Sequence, residues 1–124
     1  MTREITLHQA AGDKLNSGLE VFAIDEAGPG GANHAYLITA QQRSIDELLI
    51  NFQKGGVEEV GGVNGISMEA LLAICADRLE CFQKGPFPSD YNQVALDCIK
   101  TALHAMESRS KNRIERGVEG QLVS

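Results

Sequence analysis

Gly85, Pro86 and Pro88 cut through an otherwise helical stretch, and this break does most to limit what the chain can fold into. Proline cannot continue a helix, because it lacks the amide donor and its ring clashes with the preceding turn. Apolar residues recur at helical spacing on both sides of the break. Before it, Met68, Leu71, Leu72, Cys75, Leu79 and Phe82 form one stripe. Ser67 is a good N-cap for that helix, and Glu69 sits in the first turn, where the helix dipole favours an acid. After the break, a second helix starts at Ser89 or Asp90 and is stopped by Gly117. A connector this short brings the second helix back against the first as an antiparallel hairpin.

The second helix changes chemistry along one face. Its stripe runs through Ala95, Ile99, Ala102 and Met106, then turns to Arg109, Arg113 and Arg116, each step being three or four residues. Val94, Leu96, Cys98 and Leu103 widen the apolar part. The chain carries −6 overall, yet Arg109, Lys111, Arg113 and Arg116 against Glu115 give that segment +3, leaving −9 elsewhere. Guanidinium forks match phosphate oxygens in two-point contacts. A solvated helix end is the competing explanation, since cations are favoured near a helix C-terminus.

Ahead of residue 65 the pattern is different. Ile5-Thr-Leu7, Leu19-Glu-Val-Phe-Ala-Ile24 and Tyr36-Leu-Ile-Thr39 are short runs of strand formers. The Gly28-Pro-Gly-Gly-Ala-Asn33 loop makes the second and third a hairpin. Ile45-Asp-Glu-Leu-Leu-Ile-Asn-Phe52 suits a strand or a short helix, and Gly55 and Gly56 favour the strand. The expected architecture is α+β. A small antiparallel N-terminal sheet in residues 1–60 precedes a two-helix hairpin in residues 61–124, with the chain homo-oligomeric. Hydrophobic residues are 43% of the 124, but there are only four Phe, two Tyr and no Trp. So small and aromatic-poor a core is marginal alone, and oligomerisation is a common remedy. Phe-Gln-Lys-Gly occurs at both 52–55 and 82–85, but the flanks do not match, which points to coincidence.

Several function classes are disfavoured. An acidic chain does not suit general nucleic-acid binding. No apolar run is long enough to span a membrane, and no secretory signal core opens the sequence. Cys75, Cys81 and Cys98 are odd in number and lack C-x-x-C spacing, which suits reduced thiols in a cytosolic protein. His8, His34 and His104 show no metal-ligand spacing, and His104, between Leu103 and Ala105, suits a half-buried helix position. Gly28-Pro-Gly-Gly has no following Lys-Ser/Thr, and Glu58-Glu59 face different ways. No catalytic constellation, cofactor or metal is expected.

Phe82 and Asn92 fall at the connector end of the hairpin. An aromatic face plus an amide can hold a nucleobase by stacking and edge hydrogen bonds, although periodicity alone makes Phe82 a core residue. The arginines project at the opposite end, so one chain does not easily join the two. Two chains packed head-to-tail do.

Taken in order, several segments form one composite motif: Gly62-Val-Asn-Gly65, Glu69-Ala-Leu-Leu-Ala-Ile74, Asp77-Arg-Leu79, Phe82-Gln-Lys-Gly-Pro-Phe87, Asn92, Ala95-Leu96 and Arg109…Arg113…Arg116-Gly-Val-Glu-Gly120. This motif resembles the helical hairpin shared by phage cyclic-nucleotide sponges, and with a sheet ahead of it the type-one anti-Thoeris proteins. The resemblance covers residues 62–120 and touches the first 60 through Asn33-His-Ala-Tyr36 and Phe52-Gln-Lys-Gly55. It implies a protein that sequesters, without cleaving, nucleotide signals of bacterial immunity in the cytoplasm of the infected host. The implied ligands are glycocyclic ADP-ribose isomers, with cyclic di- and trinucleotides at separate sites. It also implies symmetric oligomers, commonly hexamers, with sites between subunits. Phe82 would then stack on adenine and Asn92 would contact its edge or ribose. Arg109 and Arg113 would hold phosphates with Arg116 nearby, and Asn64 and Glu69 would be lesser contributors. The alternatives from the residues themselves are a helical interaction module and a nucleotide-cleaving enzyme.

Overall fold

The structure is a computed structural model that describes residues 2–9, 18–40 and 47–117. The architecture is α+β, with a four-stranded antiparallel sheet followed by two helices. The chain divides into two compact units, Met1–Ile66 and Ser67–Ser124.

In the first unit, β1 (Arg3–Ile5), β2 (Leu19–Ala23), β3 (Ala35–Ala40) and β4 (Leu48–Asn51) lie in sequence order as an antiparallel meander. β2 and β3 pair from Leu19–Ala40 to Ala23–Tyr36, the hairpin expected from the glycine-rich loop. β1 sits earlier than the expected Ile5-Thr-Leu7. Thr6 opens a turn in which its carbonyl accepts from Gln9, and Leu7 is exposed. The ambiguous run after residue 45 is a strand where described, and positions 41–46 lie outside the described residues.

The loop between β2 and β3 is internally bonded. The Asp25 carboxylate accepts the His34 amide at 3.0 and 3.2 Å, and the Asn33 side chain donates to the Asp25 carbonyl. Arg3 donates to Asn33 at 2.6 Å, tying β1 to the loop. Desolvation presses the Asp25 carboxyl upward, but hydrogen bonding by the backbone of Ala35 and His34 and by Asn33 outweighs it, holding the group below its ordinary range. The amides of Gly28 and Gly31 donate to carbonyls of this same loop, so they do not form an open phosphate cradle.

Residues 61–66 belong with the sheet rather than with the hairpin, because their backbone is paired to the end of β4. Ile66 donates to Asn51 and accepts from Gln53, each at 2.9 Å. Gly65 lies so close to this extension that a Cβ there would stand 2.4 Å from the Phe52 carbonyl carbon. Phe52 in turn meets Tyr36 edge to face, with ring centroids 5.7 Å apart.

In the second unit, α1 (Met68–Lys84) and α2 (Asp90–Glu115) begin as their sequences dictate. Ser67 accepts from the Ala70 amide and Ser89 from the Asn92 amide, satisfying donors that each first turn leaves open. Gly85 closes α1, and Gly117, at φ 70°, follows the end of α2 in a conformation that favours glycine. Two cross-helix contacts show the antiparallel course: Gln83 meets Gln93 at 3.3 Å, and Glu80 pairs with Lys100 at 3.2 Å.

The seam between the helices keeps much of the expected stripes but is turned from them at several positions. It runs through Leu72, Ala76, Leu79 and Gln83 on α1, and through Leu96, Ile99, Leu103, Met106, Ser110 and Arg113 on α2. Met68, Cys75 and Phe82 lie about 70° around α1 from that seam and are exposed. Ala76 and Gln83 join the large apolar residues on this line, Ala76 because a short side chain lets the helices approach and Gln83 because it finds partners there. Ala95 and His104 are exposed as well, so His104 is a surface residue. All three cysteines are free thiols, also exposed.

Candidate functional site

The hairpin carries its candidate residues at two ends. Phe82 closes α1 at the connector end with 48% of its surface exposed. Its ring therefore lies outside the hairpin core, contrary to what its periodicity suggests. The Arg78 guanidinium lies over it, 5.5 Å from the ring centroid. Asn92 is half-buried in the first turn of α2, where its backbone amide is committed to the Ser89 cap. Nearby, the Gln83 side chain holds the connector closed. Its Nε2 donates to the Ser89 carbonyl at 3.0 Å, and its Oε1 accepts the Ser89 amide at 2.9 Å.

The arginines lie at the other end. With a rise of about 1.5 Å per residue, Arg109 stands about 26 Å along α2 from Asn92, and Arg116 about 10 Å farther. Arg109, Arg113 and Arg116 occupy one arc of about 60° around the helix. They differ sharply in burial, however. Arg113 faces the seam with only 3% of its surface exposed, whereas Arg109 and Arg116 are exposed. Arg113 and Arg116 each interact with other residues of the chain. Burying a guanidinium is tolerable only when it has partners, and Arg113 has them, whereas Arg109 stands exposed. Glu69, half-buried in the first turn of α1, lies at this same end. Positions 118–120 of the composite motif lie outside the described residues.

Asn64 belongs to the sheet unit, not to either end of the hairpin. Its side-chain amide accepts from the Lys54 N–H and donates to the Lys54 carbonyl, both at 2.8 Å. It thus imitates a neighbouring strand's peptide group. Its own N–H donates to the Gln53 side chain at 2.9 Å. The histidines do not converge: His8 and His34 are in the sheet unit and His104 is on α2. Among the described residues no cluster of His, Cys, Asp or Glu could hold a metal ion. Arg78 enters the composite motif only within Asp77-Arg-Leu79, and its i, i+4 spacing to Phe82 is the sequence signal for this pair.

These features define a class: an α+β protein whose small antiparallel meander is followed by an antiparallel helical hairpin, aromatic and amide at one end, arginine-rich at the other. The chain belongs to the Acb2/Tad1 hairpin-domain family, whose model matches residues 44–110. It is similar to a protein of Bacillus phage SBSphiJ7 named Thoeris anti-defense 1, with 39% identity over 71 residues. That match covers 57% of this chain and 49% of the relative, so the chain matches about half the length of that relative. Among the described residues no helix is long and apolar enough to cross a membrane.

Proposed function

We propose that this protein is a phage anti-defence factor that binds and sequesters nucleotide signals of the Thoeris system in the cytoplasm of the infected bacterium, without cleaving them. The ligands are glycocyclic ADP-ribose isomers, with cyclic di- and trinucleotides as a second class at separate sites. The observation that carries this is the half-exposed Phe82 ring, unused by the hairpin core, in a chain of this family. A ring in that state can stack on a base. Phe82 and Asn92 take the nucleobase end, and Arg109 and Arg113 the phosphates, with Arg116 beside them. Glu69, at the arginine end, and Asn64 are lesser contributors to binding.

The separation of the two ends supports sites between subunits. A nucleotide does not bridge some 26 Å along a single hairpin, so the base end of one protomer meets the arginine end of another. The apolar surface favours such assembly. Ile74, Phe87, Tyr91 and Val94 are exposed on the hairpin, and Leu48 and Leu49 on the sheet, while among the described residues the buried apolar ones are Ala23, Ala76 and Leu96. We place the assembly at a hexamer. Sequestration acts by mass action: tight sites in excess hold the free signal below its effector's threshold.

The test is to incubate the protein with a panel of signalling nucleotides, heat-denature it and analyse what is released. Intact nucleotide is the expected result. A changed product would identify an enzyme instead, and no retention at all would leave an interaction module. Arg109→Ala is the cleaner phosphate probe, because an exposed side chain adds little to stability. It should weaken retention about 10-fold or more, as loss of a charge-assisted hydrogen bond does, with melting unchanged.

A further inference from the structure

We infer that Arg78 is a positioning residue for the nucleobase end, holding the Phe82 ring from behind so that a purine stacks on its other face; this rests on the ligand-binding role of Phe82 proposed above. Arg78 and Phe82 are one helical turn apart on the exposed side of α1, the spacing at which side chains meet. The guanidinium stands 5.5 Å from the ring centroid, within reach of the electron-rich face. Among the described residues no carboxylate pairs with it. The contact is therefore not a by-product of an ion pair that happens to pass over the ring.

Two consequences follow from the geometry. A phenylalanine with 48% of the residue exposed would sample several rotamers if nothing held it. A cation on one face restricts the ring and leaves a single face for stacking, which lowers the ordering cost of binding. The guanidinium also draws electron density from the ring, which favours stacking against an electron-rich purine on the opposite face. It places positive charge at the end of the hairpin that lacks the arginine stripe, where a dianionic ligand must arrive.

The test compares Arg78→Met, which keeps the aliphatic stem, with Arg78→Lys, which keeps a cation. Affinity for a glycocyclic ADP-ribose isomer is measured by calorimetry, and oligomer mass by light scattering. Arg78→Met should weaken binding about 3- to 30-fold, while Arg78→Lys stays within about 3-fold of the wild type, with the oligomer intact in both. Equal binding by Arg78→Met and wild type would overturn the inference, as would equal losses in both variants. A second measurement needs no ligand. The Arg78 δ-protons of the free protein should be shifted upfield by the ring current of Phe82, and the shift should vanish in Phe82→Leu. Its absence in the wild type would overturn the inference even if the nucleotide binds. Its presence in a wild type that retains no nucleotide would instead sink the functional proposal and this inference with it, while leaving the pair as a structural contact.

Discussion

Replacing Phe82 by alanine separates a ligand role from a packing role. Full burial of a Phe side chain is worth about 1.5–3 kcal/mol. With 48% of the residue exposed, about half of that is at stake, roughly 1 kcal/mol. Losing the Arg78 contact adds about 0.5–1 kcal/mol. Alanine returns about 0.5 kcal/mol through its better helix propensity. The net destabilisation should be about 1–1.5 kcal/mol, against the 3–5 kcal/mol typical of a truly buried Phe. Stacking of one base is worth about 1–3 kcal/mol, so binding should weaken by roughly 5- to 150-fold. Circular dichroism at the helix band reads the first quantity, and calorimetry with a glycocyclic ADP-ribose isomer reads the second. A variant losing 3 kcal/mol or more of stability while binding as tightly as wild type would refute the reasoning.

Other perturbations test the scaffold. Gln83→Ala removes both hydrogen bonds to Ser89 and the contact to Gln93; it should cost about 1–2 kcal/mol, read as a lower helix melting temperature, and an unchanged melt would show that the connector does not need the clasp. Gly65→Ala sets a Cβ against the backbone of Phe52 and Gln53; a loss of about 2–3 kcal/mol is expected, together with hydrogen-exchange protection at the Ile66 amide. Asp25 has a lowered folded pKa, so its contribution is fully present above the ordinary value of 3.8 and is lost as pH falls through the folded value. The stability gap between wild type and Asp25→Ala should therefore close below about pH 4, and a gap that stays constant in acid melts would contradict the assignment.

The helix ends were legible because their signals are local. Ser67 and Ser89 cap, Gly85 and Gly117 stop, and no distant contact is needed to see it. The faces of the helices were not so legible. Counting large apolar residues selects Leu72 and Leu79, which lie on the seam, but also Met68, Cys75 and Phe82, which do not; it passes over Ala76 and Gln83, whose value lies in small size and in bonds to residues across the connector. The arginine arc was visible from spacing, but the burial of Arg113 beside the exposure of Arg109 depends on where the seam falls. The family resemblance makes Asn64 a lesser ligand contributor. Only the strand extension beside it shows that both ends of its amide are spent on Lys54. The repeated Phe-Gln-Lys-Gly is bridged at Phe52 and turns at Gly55, with φ 82°, in its first copy but is helical up to Lys84 in its second, so tertiary context decides its backbone. In both copies the glutamine fastens the loop that follows, Gln53 through Asn64 and Gly62, and Gln83 through Ser89.

The Gln83 clasp has a consequence for how such hairpins can diversify. Two helices in contact along a thin seam can slide past each other, and each residue of slippage moves one against the other by about 1.5 Å. The clasp sets that register a single turn from Phe82 and Asn92, so lengthening or shortening the connector would alter the gap between ring and amide directly. Changes at the arginine end leave this gap alone. The two ends of the hairpin can thus change separately, the connector end through its clasp and the arginine end through its exposed side chains.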